Sequence, residues 1–220
     1  MTAADFSSSP DLVIQQIGQT RIIPVCRLEE YGQVQSLARA LQSGGIPIIE
    51  LTLTGKGAFD AVSQIRAFFG SSVLIGVGTV LDTEAATSAI DAGAHFIVTP
   101  VYRPRVIDLC RERNVCVVSG AYTPTEAQDA YEAGADLIKI FPIRTLGAAF
   151  IKDLLGPLPH LRIVPTGGIH FENARSFIEA GALAVGMGRE IISQELVTRG
   201  DWAAIQERAA RAVQSVSAAQ

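Results

Sequence analysis

Lys139 stands inside Leu137-Ile-Lys-Ile-Phe141-Pro142, a run that is otherwise apolar. Such a run reads as an interior strand of a parallel sheet, where an ammonium group is costly to desolvate and the neutral amine is favoured. A neutral amine in a dry pocket attacks a carbonyl carbon and forms an iminium, an electron sink for cleaving a carbon–carbon bond. A strand-end lysine that snorkels to solvent would give the same hexapeptide. Glu50 is the matching anomaly, a carboxylate in the mainly apolar Ile46-Pro-Ile-Ile-Glu-Leu-Thr-Leu53. Unpaired burial of either charge is expensive, and pairing the two would relieve both. The couple then reads as a nucleophile with its acid/base partner, or as a structural ion pair.

The elements that must position these residues repeat one pattern: an amphipathic helix, a small-residue stop, then an apolar strand. Asp91-Ala-Gly-Ala94, Glu132-Ala-Gly-Ala135 and Glu179-Ala-Gly-Ala182 each precede such a strand. The glycine suits the position just past a helix end, where positive φ is cheap. Strands are expected near 22–26, 46–53, 73–78, 96–99, 115–119, 137–141, 162–165 and 184–186. Helices are expected near 34–41, 59–69, 83–91, 105–112, 124–133, 148–155, 171–179 and 202–215. Strict alternation predicts an α/β fold with a parallel sheet, and this many units in 220 residues predict a (β/α)8 TIM barrel occupying 1–220 as one domain, with a loose segment at 1–10. An open doubly wound sheet is the competing architecture. Against it, Gly76-Val-Gly-Thr79 lacks the full dinucleotide fingerprint.

In a barrel, functional groups lie at the C-terminal ends of the strands. Arg27, Thr52, Thr54, Thr79, Pro100, Lys139 and the turn Thr166-Gly167-Gly168 all meet that condition. The glycine-rich turns after strands seven and eight, Pro165-Thr-Gly-Gly-Ile169 and Gly186-Met-Gly188, fit a phosphate site, although tight turns need glycine anyway. His95, His160 and His170 show no ligand spacing and are expected at the surface or in loops, and no metal site is expected. Trp202 reads as a packing residue. The net charge of −4, without a basic cluster, points to small molecules rather than nucleic acid or membrane. Cys26, Cys110 and Cys116 fit reduced core cysteines of a cytoplasmic protein.

Pro24-Val25, Gly45-Ile-Pro-Ile-Ile-Glu-Leu-Thr52, Ile75-Gly-Val-Gly-Thr-Val80, Val98-Thr-Pro100, Ile138-Lys-Ile-Phe-Pro142 and Pro165-Thr-Gly-Gly-Ile169 together resemble the pyruvate-dependent class I aldolases acting on 2-keto-3-deoxy-6-phosphogluconate and 2-keto-4-hydroxyglutarate. The resemblance runs from about residue 19 to 190. It implies a TIM barrel, a homotrimer, no cofactor, Lys139 as the Schiff-base lysine and Glu50 as the general acid/base. It also implies that Thr79, Pro100 and Phe141 line the pyruvate moiety, with Thr166, Gly167 and Gly168 at the phosphate end. The implied reaction is cleavage of such a 2-keto acid to pyruvate and an aldehyde. Oxaloacetate decarboxylation through the same Schiff base is an alternative. A noncatalytic phosphosugar-binding barrel is an alternative of another class.

Two positions depart from the family pattern. Thr54 stands where many members have arginine, leaving Arg27 to hold the substrate carboxylate. Gly188, followed by Arg189, stands where members place a phosphate-binding serine, so weak discrimination for a phosphorylated tail is expected, with Arg189 as a candidate anion contact.

Overall fold

A computed structural model describes residues 9–217, and it places a short strand at each expected position. In chain order these are β1 (Ile22–Cys26), β2 (Ile48–Thr52), β3 (Leu74–Gly78), β4 (Phe96–Val98), β5 (Cys116–Ala121), β6 (Leu137–Ile140), β7 (Ile163–Pro165) and β8 (Val185–Met187). All pair in parallel, in the order β7-β6-β5-β4-β3-β2-β1-β8. The two ends of that order meet. Leu183 N–H donates to the Ile163 carbonyl at 2.9 Å, and Thr166 bridges to Gly186. The sheet therefore wraps into a nearly closed barrel, which excludes the open doubly wound alternative.

Register decides what the barrel encloses, because paired residues of parallel strands face the same side. Lys139 pairs with Gly120 and Val164, while Glu50 pairs with Val25 and Gly76. The inward set thus includes Leu74, Gly76 and Gly78 on β3, and Phe96 and Val98 on β4. Gly76 is glycine for a packing reason: a Cβ there would collide with the Phe96 ring, which is fully buried.

Helices cover the outside because their apolar residues recur on one face. Helix α2 (Val34–Ser43) buries Val34, Leu37, Ala38 and Leu41, the i, i+3, i+4, i+7 pattern. The others between strands are α3 (Ala58–Phe69), α4 (Thr83–Asp91), α5 (Pro104–Glu112), α6 (Pro124–Glu132), α7 (Gly147–Leu155) and α8 (Ala174–Glu179). The short α9 (Gln194–Thr198) and long α10 (Trp202–Val216) complete the chain. Helix α10 packs against both α8 and α2 and closes the outer ring. Gly44 permits that closure, since a Cβ there would lie 2.5 Å from the Ala209 Cβ.

Two helices lie outside the expected set, the short α9 and one that precedes β1. Pro10–Thr20 forms α1, opened by proline at its first turn, so Pro10 starts a helix rather than ending a loose segment. The expected loose stretch 1–8 lies outside the described residues. Helix α1 packs against β1 and β5, strands on opposite sides of the barrel, and so covers its N-terminal mouth. Among the described residues no helix is long and apolar enough to cross a membrane.

Candidate active site

β2 and β6 lie four positions apart in the eight-stranded order, so their inward side chains face each other across the barrel. Lys139 Nζ stands 3.6 Å from Glu50 Oε1, with side-chain exposures of 9% and 3%. The separation is too long for a direct hydrogen bond. Glu50 Oε1 is buried and has no hydrogen-bond partner among the described residues, which concentrates its attraction on the amine. The carboxylate fits because Gly78 has no side chain: a Cβ there would overlap Glu50 Oε1. That negative charge also reaches Cys26, whose thiol is pushed far up chiefly by burial and secondarily by Glu50.

The floor and rim around this couple come from neighbouring strand ends. The Phe141 ring lies 5.6 Å below Lys139 Nζ, a cation–π distance. Its edge meets the next turn, where a Cβ on Gly167 would sit 3.1 Å from Phe141 Cε2. Gly167 and Gly168 both take positive φ, 90° and 88°, which the turn requires. Asn173 holds the turn by donating to the Gly168 carbonyl at 3.0 Å, and Ile143 N–H donates to the Thr166 carbonyl at 2.9 Å. Thr166 is itself nearly buried and lies against Gly186, where a Cβ would strike its Oγ1.

Thr79, directly after β3, has φ of 63°. For a β-branched residue this is an outlier costing about 1–3 kcal/mol, of the kind that accumulates where function fixes the backbone. Pro100, half-buried after β4, has its carbonyl against Gly120 of β5, and Gly120 N–H donates to Thr99 Oγ1 at 3.1 Å.

On the opposite rim, Tyr31 ties β1 to β2. Its hydroxyl stands 2.9 Å from the Cys26 carbonyl, 2.8 Å from the Thr52 carbonyl and 3.0 Å from Thr52 N–H, from which it accepts. Thr52 and Thr54 share a hydrogen bond at 2.7 Å. Arg27 follows β1 and is exposed, as are Thr54 and Arg189. Gly188 is half-buried, 3.4 Å from the Val25 carbonyl when given a Cβ. The structure thus gathers Lys139, Glu50, Phe141, Thr166, Gly167 and Gly168 through direct neighbours. Among the described residues no such contact links Arg27 or Arg189 to them. Sequence reasoning passed over Gly78 and Tyr31, and over Arg144, whose side chain lies against Gly168.

One expectation for the other residues needs correction. His95 is not at the surface but 2% exposed, its Nδ1 accepting from Ile75 N–H at 3.0 Å and its Nε2 facing Arg66. Burial, reinforced by Arg66, lowers its pKa to about 4. Among the described residues no cluster of His, Cys, Asp and Glu has a metal-holding arrangement. The three cysteines are buried and unpaired. An open cavity of about 470 Å3 is lined by Leu53, Phe59, Asp60, Asp82 and Glu84, and by neither Lys139 nor Glu50.

A parallel (β/α)8 barrel with a buried lysine and carboxylate facing each other near the C-terminal strand ends is the framework of a Schiff-base lyase. Residues 13–208 match the family model of KDPG and KHG aldolase, and the chain belongs to that family. It is 34% identical to the 2-dehydro-3-deoxy-phosphogluconate aldolase of Treponema pallidum, over 88% of this chain and 92% of that one. Among solved structures it resembles the KDPG aldolase of Legionella pneumophila, with pyruvate captured as a covalent carbinolamine. That match has 26% identity and a TM-score of 0.80, covering 90% of this chain and 96% of that one. A cube-shaped cage designed by fusing symmetric oligomeric domains matches with 28% identity and a TM-score of 0.84, covering 90% of this chain and 72% of that one.

Proposed function

We propose that this chain is a class I aldolase that cleaves a 2-keto-3-deoxy-6-phospho sugar acid or 2-keto-4-hydroxyglutarate into pyruvate and an aldehyde. The observation that carries the reading is the buried Lys139–Glu50 approach of 3.6 Å across the barrel. Neutral Lys139 adds to the C2 carbonyl, and Glu50 moves the protons that turn the carbinolamine into an iminium with loss of water. Glu50 then takes the C4 hydroxyl proton. The C3–C4 electron pair flows into the iminium, leaving an enamine and releasing the aldehyde. Protonation of the enamine at C3 and hydrolysis return pyruvate and the free amine. Phe141, Thr79 and Pro100 surround the pyruvate carbons, Arg27 holds the carboxylate in place of the arginine missing at Thr54, and Thr166, Gly167, Gly168 and Gly188 line the tail, with Arg189 nearby.

Borohydride reduction in the presence of pyruvate tests the reading, with mass spectrometry locating the adduct. The wild type should be trapped on Lys139, Lys139→Ala should lose trapping and turnover, and Glu50→Gln should keep binding pyruvate while turnover falls by roughly 10² to 10⁴. A wild type that is never trapped would favour the noncatalytic phosphosugar-binding barrel. The assembly we propose is a homotrimer. Leu81 and Val101, on consecutive loops after β3 and β4, carry exposed apolar side chains for a second copy to cover. Sedimentation equilibrium at the mass of one 23.3 kDa chain would exclude it.

A further inference from the structure

A cation stands at the glycine-rich turn after β7. Arg144 sits in the 3-10 turn Ile143–Thr145 that follows β6, two residues beyond Pro142. That turn is fastened to the glycine-rich turn after β7 by the Ile143–Thr166 hydrogen bond. The Arg144 side chain lies directly over Gly168: a Cβ built on Gly168 would stand 2.7 Å from Arg144 Cβ, 3.0 Å from Cγ and 3.1 Å from Nε. The guanidinium is exposed, and among the described residues no carboxylate lies within 4.0 Å of it. Beneath it, the N–H groups of Gly168 and Ile169 donate to no protein acceptor among the described residues.

A continuous line of contacts therefore runs from the reacting amine to this cation. Lys139 lies over Phe141, Phe141 touches Gly167, and Gly168 lies under Arg144. A keto acid with C2 on Lys139 and an extended chain would bring its far end to a fork of N–H donors beside two free backbone N–H groups. That combination suits a tetrahedral dianion, because guanidinium donates in a planar fork and backbone donors accept no competing cation. We propose that Arg144 is the specificity-determining residue for the substrate tail, selecting a phosphorylated 2-keto acid over its neutral-tailed counterpart and replacing the hydroxyl donor missing at Gly188. This rests on the aldolase reading above, and it moves the anion contact from Arg189 to Arg144.

The test compares kcat/KM for 2-keto-3-deoxy-6-phosphogluconate and for unphosphorylated 2-keto-3-deoxygluconate in wild type, Arg144→Ala, Arg144→Lys and Arg189→Ala. Arg144→Ala should raise KM for the phosphorylated substrate about tenfold or more, with kcat and the neutral substrate little changed. Arg144→Lys should recover part of the loss, and Arg189→Ala should keep the wild-type ratio between the two substrates. Pyruvate trapping by borohydride should be equal in wild type and Arg144→Ala, since the reacting end is untouched. Equal discrimination in wild type and Arg144→Ala would overturn the assignment while intact trapping preserved the aldolase reading. A loss of discrimination in Arg189→Ala alone would return the role to Arg189. Absence of trapping in the wild type would remove the aldolase reading and this assignment with it.

Discussion

Glu50 and Lys139 were legible from sequence because each is a charge in an otherwise apolar strand, and apolar strands of a parallel sheet have no water to offer. What the sequence did not disclose is the space between them. That space depends on Gly78, and the need for glycine there comes from a side chain on another strand through the Thr52–Gly78 and Glu50–Gly76 register. Gly78→Ala is the corresponding prediction. The added methyl must displace the Glu50 carboxylate, so turnover should fall at least about tenfold while the far-ultraviolet circular dichroism stays that of the wild type. Wild-type kinetics in Gly78→Ala would show that Glu50 is not held where described. His95 was misread for a related reason. Its position after a helix stop looks like a loop, and only the turn of its ring under β3, accepting from Ile75, makes it a core residue.

At the scale of elements, the Ala-Gly-Ala stops were the most readable feature. Gly93, Gly134 and Gly181 have φ of 102°, 96° and 107°, as expected of residues just past a helix end. Each stop repeats the same bonds: Ala94 donates to the Ala89 carbonyl, Ala135 to that of Ala130 and Ala182 to that of Phe177. The chemistry is local, so six or seven residues suffice to specify it. Strand ends were less readable. Ile46 and Pro47 extend the apolar run ahead of β2: Pro47 joins only through its carbonyl, which accepts from Leu74 N–H at 2.8 Å, and Ile46 is fully buried yet unpaired with a strand, because hydrophobicity reports burial rather than pairing. Helix α1 escaped notice because only Val13 and Ile17 are fully buried along it. Its large apolar residues, Leu12, Val13, Ile14 and Ile17, span less than two turns, too short a stretch for periodicity to register, and what fixes α1 is the barrel mouth it covers.

For the whole molecule, His95 ties stability to acidity from the covered end of the barrel. Its pKa is about 4 when folded, lowered first by burial and then by Arg66, against an ordinary value of 6.5. Above about pH 6.5 the ring is neutral in both states and adds no pH dependence. Between about 6.5 and 4 the unfolded ring takes up a proton that the folded one refuses, so stability falls as pH falls, by up to about 3 kcal/mol from this group. Urea unfolding at pH 7 and pH 4.5 should show that loss in wild type and a smaller one in His95→Asn, which keeps an acceptor for Ile75. Identical losses in the two proteins would assign the acid sensitivity to other groups.

The seam between β8 and β1, roofed by α10 against α2, also sets an order of events during synthesis. The first strand leaves the ribosome with one edge unpaired and waits for a partner encoded more than 150 residues later. Until β8 and the last helix emerge, the nascent chain is an incomplete arc whose β1 edge and whose Gly44 face remain open. Closure therefore depends on the most distant contacts in the chain, which are the slowest to form. Loss of even the final helix would leave α2 uncovered at that seam, so truncation there affects the fold of both ends at once.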